Sequence, residues 1–182
     1  MRMRFRVLAI VCCVTSMMAT LASCAAANSP GEFGDVSAES AKTLAPADPA
    51  SLFTFAKLSV ALDRAAIILP GSTVETIKVE PGKMFVSANT SNGEFAVIVV
   101  AANGKVHAVV SKSPTRPAVA WSDIDKHAGE SIINAAVQSG EVLASVKYLI
   151  ASVDDSEHLA WSVYVDSPRG HLEGDAHGKI TR

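Results

Sequence analysis

Apolar residues recur at helical spacing over Leu58, Leu62, Ala65, Ala66 and Leu69, and Pro70-Gly71 then stops the run. The β-branched stretch Thr73-Val74-Glu75-Thr76-Ile77-Lys78-Val79 follows and reads as a strand. The same order returns further along. Ile132, Ile133, Ala136 and Val137 place a helical stripe within Asp125–Gln138, Ser139-Gly140 ends it, and residues 142–151 alternate as a strand. Gly71 and Gly140, the two stops, stand 69 residues apart. The run Phe95–Val100 leads into Asn103-Gly104, a tight-turn signal, and then Val106–Val110. Trp161–Asp166 leads in the same way into Arg169-Gly170 and His171-Leu172.

This pattern predicts an α+β chain of two tandem repeats, each with one helix packed on a three- to four-stranded antiparallel sheet. The first repeat covers 49–113 and the second 118–182. Ser113-Pro114-Thr115-Arg116-Pro117 joins them, with prolines that suit neither a helix interior nor a central strand. The expected helices are Val60–Leu69 and Asp125–Gln138. The expected strands are 73–79, 94–100, 105–110, 142–151 and 158–166. Asp48-Pro49 resembles a helix cap followed by proline in the first turn, so folded structure is expected to begin there. Phe95–Val100 is apolar on both faces, as for a strand covered on both sides, either by the helix and the other repeat or by a partner chain.

The start of the chain has a different character. Arg2, Arg4 and Arg6 precede an apolar run from Val7 to Ala19, which is too short to span a bilayer as a mature helix. Leu21-Ala22-Ser23-Cys24 closes it and resembles the bacterial lipobox. The resemblance implies a signal peptide over 1–23 and a mature N-terminus at Cys24. Its sulfur would carry acyl chains such as palmitate that hold the protein in the lipid bilayer on the outer side of a cell membrane. The alternative is an ordinary signal peptide cut near Ala25–Ala27. Cys12 and Cys13 lie inside the apolar run, so processing would leave one cysteine, and lipidation accounts for a thiol with no disulfide partner. Residues 24–48 are rich in Ala, Ser, Pro and Gly without sustained periodicity and read as a tether.

Of 16 Lys and Arg against 18 Asp and Glu, the three arginines leave with the signal, so the mature chain keeps 13 cations against 18 anions. No basic cluster remains, which argues against nucleic acid as a partner.

Within the folded region the closing motif Tyr164-Val165-Asp166-Ser167-Pro168-Arg169-Gly170 and the helix exit Leu69-Pro70-Gly71-Ser72-Thr73-Val74 resemble the PepSY domain. The first half has Val100-Ala101-Ala102-Asn103-Gly104 where the motif has its aspartate. The resemblance covers nearly all of the folded region and implies a PepSY/cystatin-like fold and a non-catalytic module. It also implies inhibition or local regulation of a cell-envelope peptidase. The aspartate and glycine of the motif are turn residues, Asp bonding its own backbone and Gly taking the left-handed conformation.

Candidate chemistry is sparse. The sequence contains no His-Glu-x-x-His, Gly-x-Ser-x-Gly, Walker or Gly-x-Gly-x-x-Gly motif, and no catalytic residue or cofactor is assigned. His171, Glu173, Asp175 and His177 alternate, so an extended strand would align all four on one face as weak ligands for a divalent ion. A solvated strand edge is the simpler reading, because Gly174 and Gly178 interrupt the segment. Trp161 falls on the apolar face of its strand with Leu159, Val163 and Val165, and Tyr164 falls on the other, as a weak candidate for partner contact. His107 and His127 stand alone and are assigned to the surface or to capping positions. The expected function is a lipid-anchored extracytoplasmic binding module, with a small-molecule or metal-binding envelope lipoprotein as the alternative.

Overall fold

The computed structural model describes residues 44–111 and 116–182, all within one compact unit. The signal segment, the lipobox with Cys24 and most of the tether lie outside the described residues. In chain order the elements are α1 (Phe55–Ile68), β1 (Thr73–Glu80), β2 (Lys83–Asn89), β3 (Phe95–Ala101), β4 (Val106–Ser111) and β5 (Val119–Ala120). There follow α2 (Ala128–Gln138), β6 (Val146–Val153), β7 (Leu159–Val165) and β8 (His171–Gly174).

The tandem-repeat expectation is corrected by the sheet. All strands belong to one antiparallel sheet of order β4-β3-β2-β1-β6-β7-β8, with the short β5 paired to the start of β1. The join is the pairing of Thr76–Val79 with Leu149–Ser152. Each half on its own would expose this strand edge, and pairing the two edges satisfies their backbone groups. One apolar core follows from one sheet. Leu58, Leu62 and Ala65 of α1 and Ile132 and Ala136 of α2 pack with Ile77, Val86, Ile98, Leu149 and Trp161 from strands of both halves. A segment of about 65 residues buries a core of marginal size by itself, and the shared core removes that weakness.

The helices lie where their apolar stripes predict, starting three to five residues from the expected positions at their N-termini. Asp48 is not the cap of α1. Its side chain accepts a hydrogen bond from the Ala50 amide (2.8 Å), closing a turn before the helix. The helix begins seven residues later, after Thr54, whose extended backbone (φ −90°, ψ 142°) makes it the cap position. Residues 143–145 form a short 3-10 turn rather than strand, so β6 starts at Val146. Strand β2 is an addition to the expected set, folded back from β1 across Pro81-Gly82.

Both helices cover the same side of the sheet. The side chains that alternate toward them are buried: Ile77, Val79, Met84, Val86, Ile98, Leu149, Trp161 and Val163. Apart from Asn89 and Ala101 at strand ends, which are buried, the side chains on the opposite side are half-buried or exposed, and no described helix covers them. Phe95, Val97 and Val99 sit there half-buried, so among the described residues β3 is covered by helix on one side only. Their partial burial comes from neighbouring side chains on the same face.

Candidate functional site

The uncovered face carries a transverse file of side chains whose order follows from the strand register. Tyr164 of β7 pairs with Tyr148 of β6 and with His171 of β8. Lys78 of β1 pairs with Phe85 of β2, Phe85 with Val99 of β3, and Val99 with His107 of β4. The rings of Tyr148 and Tyr164 are stacked, with centres 4.5 Å apart and planes 22° from parallel. His171 stacks on the other side of Tyr164 at 5.4 Å and 18°. The Lys78 ammonium then lies 4.7 Å from the Tyr148 centre and 5.9 Å from the Phe85 centre. Lys83 approaches Phe85 at 5.0 Å. A continuous file therefore crosses β2, β1, β6, β7 and β8.

Cross-strand aromatic and cation–π pairs of this kind each contribute about 0.5–1 kcal/mol, so the file also stiffens a face with no second layer. Its geometry restricts what it can bind. Tyr164 has a ring against each of its faces, and Tyr148 has Tyr164 on one face and Lys78 on the other. A planar ligand finds no free ring face to stack on there. What the two tyrosines offer are ring edges and hydroxyl groups, which suit hydrogen bonding and edge contacts with a polypeptide surface.

Charges on this face are mixed and locally paired. Glu80 meets Lys78 at 2.8 Å and Lys83 at 3.6 Å, Lys147 meets Asp166 at 3.0 Å, and His171 meets Glu173 at 3.5 Å. Such a surface has no single-sign field to steer a polyanion. Asp166, the motif aspartate, does not bond its own backbone. It is exposed and pairs with Lys147, while the β7–β8 turn is closed by the Val165 amide donating to the Gly170 carbonyl (3.0 Å). Gly170 does take the left-handed conformation (φ +74°).

The four alternating residues of the C-terminal segment separate into two places. Strand β8 ends at Gly174, so only His171 and Glu173 share its face. Asp175 turns inward to the backbone, accepting from the amides of His177 (2.9 Å) and Lys179 (3.0 Å), and these bonds hold its carboxyl below the usual range. His177 instead bonds Asp125, just before α2, at 2.9 Å. That hydrogen bond, with the attraction of the Asp125 charge, raises the imidazole pKa, and the same bond lowers that of Asp125. Among the described residues no three His, Cys, Asp or Glu side chains are grouped so as to hold a metal ion. Trp161 is fully buried beneath the helices, on the face opposite Tyr164. His107 lies on the uncovered face, and His127 precedes α2 with its ring stacked on Phe55 at 3.7 Å.

Strand alternation alone separates Trp161 from Tyr164. It does not reveal Lys78, Phe85 and Tyr148 as neighbours of Tyr164, because that requires the β1–β6 pairing. Glu75 was also silent in the sequence. It occupies an irregularity in the β1–β2 register between Val74 and Thr76 and is buried. Its Oε1 accepts from the Arg116 amide (3.0 Å), while the Asn89 Nδ2 donates to the Arg116 carbonyl (3.1 Å). Together they fix the chain where it returns toward the second half.

No family model matches this chain, and no curated protein or solved structure is similar to it. Among the described residues no helix is long and apolar enough to cross a membrane.

Proposed function

We propose that this protein is a non-catalytic binding module that recognises another polypeptide on the uncovered face of its sheet, at the outer side of a membrane to which Cys24 anchors it. The observation that carries the reading is the file from Phe85 through Lys78, Tyr148 and Tyr164 to His171. It is a pre-organised, amphipathic strip on rigid strands, with aromatic groups and hydrogen-bonding termini side by side. The resemblance of Tyr164–Gly170 to PepSY domains adds a peptidase of the cell envelope as the kind of partner. The reading of a divalent-ion lipoprotein draws on His171, Glu173, Asp175 and His177, whose separation into two pairs gives it no geometric support.

The test is a photo-activated crosslinking residue placed at Tyr164 in the full chain, expressed in its own cell envelope, with Ile67 as an exposed control on α1. Ile67 is 75% exposed and lies on the helical side. The reading expects one discrete protein adduct from position 164 and none of that size from position 67. If the adduct is a peptidase, the purified chain should inhibit it. Equal labelling from both positions, or none from either, contradicts the proposal.

A further inference from the structure

The two edges of the sheet differ. At β8 the returning C-terminus covers the edge: the Glu173 amide donates to the Arg182 carbonyl (3.1 Å), the Thr181 amide donates to the Glu173 carbonyl (2.8 Å), and Gly174 bridges to Ile180. At the other end β4 pairs only with β3 among the described strands. No charged residue or proline interrupts Val106–Ser111, and Val109 and Val110 are 53% and 47% exposed. Lysines, prolines, bulges or a covering segment usually protect such an edge. This one has no lysine, proline or bulge within its six residues, and no described segment covers it.

A hollow lies near each end of β4 on the helical side, each of about 250 Å³. The first, against the β3–β4 turn, is lined by Leu52, Val60 and Val100 together with Lys57 and Arg64, and by no carboxylate. Arg64 donates to the Gly104 carbonyl, which fixes its guanidinium at the turn. Gly104 has φ +87°, a left-handed conformation that favours glycine, and a Cβ there would displace that guanidinium. Lys105 immediately precedes β4 at the same end, and among the described residues no carboxylate pairs with Lys57, Arg64 or Lys105. The second hollow, beside Val110, is lined by Leu69 and Pro70, with Glu94 the only ionisable group among the described residues there.

We propose that β4 takes up an extended segment of a partner protein, added antiparallel, with a carboxylate at its C-terminal end and alternate apolar side chains toward the helices. An antiparallel addition puts the C-terminal end of the incoming strand at the start of β4, where Lys57, Arg64 and Lys105 meet it. Its N-terminal end falls beside Glu94. Six residues at about 3.4 Å each reach from one hollow to the other. A second copy of this chain is a poor occupant. Its own β4, set antiparallel, ends in Val109-Val110-Ser111 and brings no carboxylate to the three cations, and symmetry repeats the mismatch at the other end. The proposal rests on the reading of this protein as a polypeptide-binding module, and adds where and how an extended segment is held.

The experiment uses the full chain in detergent and the peptide Thr-Val-Thr-Val-Thr-Glu with a free C-terminus, followed by amide NMR. The expected result is shifted and protected amides in 106–111. Affinity should fall about tenfold when alternate peptide amides are N-methylated, and again when the last residue is an amidated lysine. Exchanging Lys57 and Arg64 together for glutamate should reverse the preference between the two peptide ends. No binding at millimolar peptide, equal binding of the methylated peptide, or indifference to the terminal charge overturns the proposal. So does a dimer that Val109→Lys dissociates, which would give the edge to a second copy. An adduct at position 164 with no peptide effect removes the edge proposal alone; peptide binding at β4 with no adduct removes the face reading alone.

Discussion

The ammonium of Lys78 stands between Phe85, which the first half of the chain supplies, and Tyr148, which the second half supplies. One cation thus links the aromatic side chains of two segments that the sequence presents as separate repeats. The contact exists because β1 and β6 pair directly, so that a single sheet carries one uninterrupted strip of aromatic and basic side chains. Two independent units would carry two short strips instead.

Removing the two aromatic side chains of β7 should separate fold from recognition. Trp161→Ala empties a fully buried site and should cost about 3–5 kcal/mol. Tyr164→Ala removes the middle ring of the stack and should cost only about 1 kcal/mol. Urea denaturation of both variants measures this, and equal losses would mean that Tyr164 is a structural residue first.

Glu75 should matter more than a strand glutamate ordinarily does. It is buried, and its carboxylate accepts the Arg116 amide. Glu75→Ala leaves that amide without its partner and should destabilise the fold by roughly 1–3 kcal/mol. Glu75→Gln keeps an acceptor oxygen and should retain most of the stability. Thermal unfolding of the pair checks the order.

The C-terminal segment should respond to pH through His177 and Asp125. The imidazole pKa is raised in the fold, so its contribution is complete below the ordinary histidine value and is lost as pH rises through the raised one. The Asp125 pKa is lowered, so its contribution is present above the ordinary carboxylate value and is lost as pH falls through the lowered one. The pair therefore holds the segment best between those limits. Hydrogen-exchange protection of Thr181, corrected for intrinsic rate, should fall as pH rises above the ordinary histidine value. His177→Asn should flatten that profile, and an unchanged profile would exclude the pair as its cause.

Cys24→Ala should abolish acyl labelling and leave the protein unprocessed or released, since the sulfur is the proposed lipid acceptor. Intact mass of the mature N-terminus checks it. A mature chain beginning at Ala25 or beyond without lipid would replace the anchor with an ordinary signal cleavage.

What the sequence revealed and what it concealed have physical causes. Helices α1 and α2 and strands β1, β3, β4, β6 and β7 follow from local periodicity, which side-chain burial enforces residue by residue. Strand β2 escaped because its large residue, Phe85, faces outward while small Ala88 faces inward, which blurs the alternation. The pairing of Thr76 with Ser152 leaves no local trace at all, since backbone hydrogen bonds carry no side-chain signature. The alternation of His171, Glu173, Asp175 and His177 pointed to a shared face only if the strand continued, and Gly174 ends it. Tyr164 was legible as an outward residue, but its neighbours needed the register of five strands.

The central claim is that the uncovered face is occupied by a partner in the cell envelope. Its most direct measurement is the oxidative labelling rate of Tyr148 and Tyr164, compared between the purified full chain and the same chain in intact envelopes. His158, exposed on the β6–β7 turn, serves as the reference. The account predicts that both tyrosines are labelled several-fold more slowly in the envelope while His158 is unchanged. Equal relative rates in the two settings would contradict it.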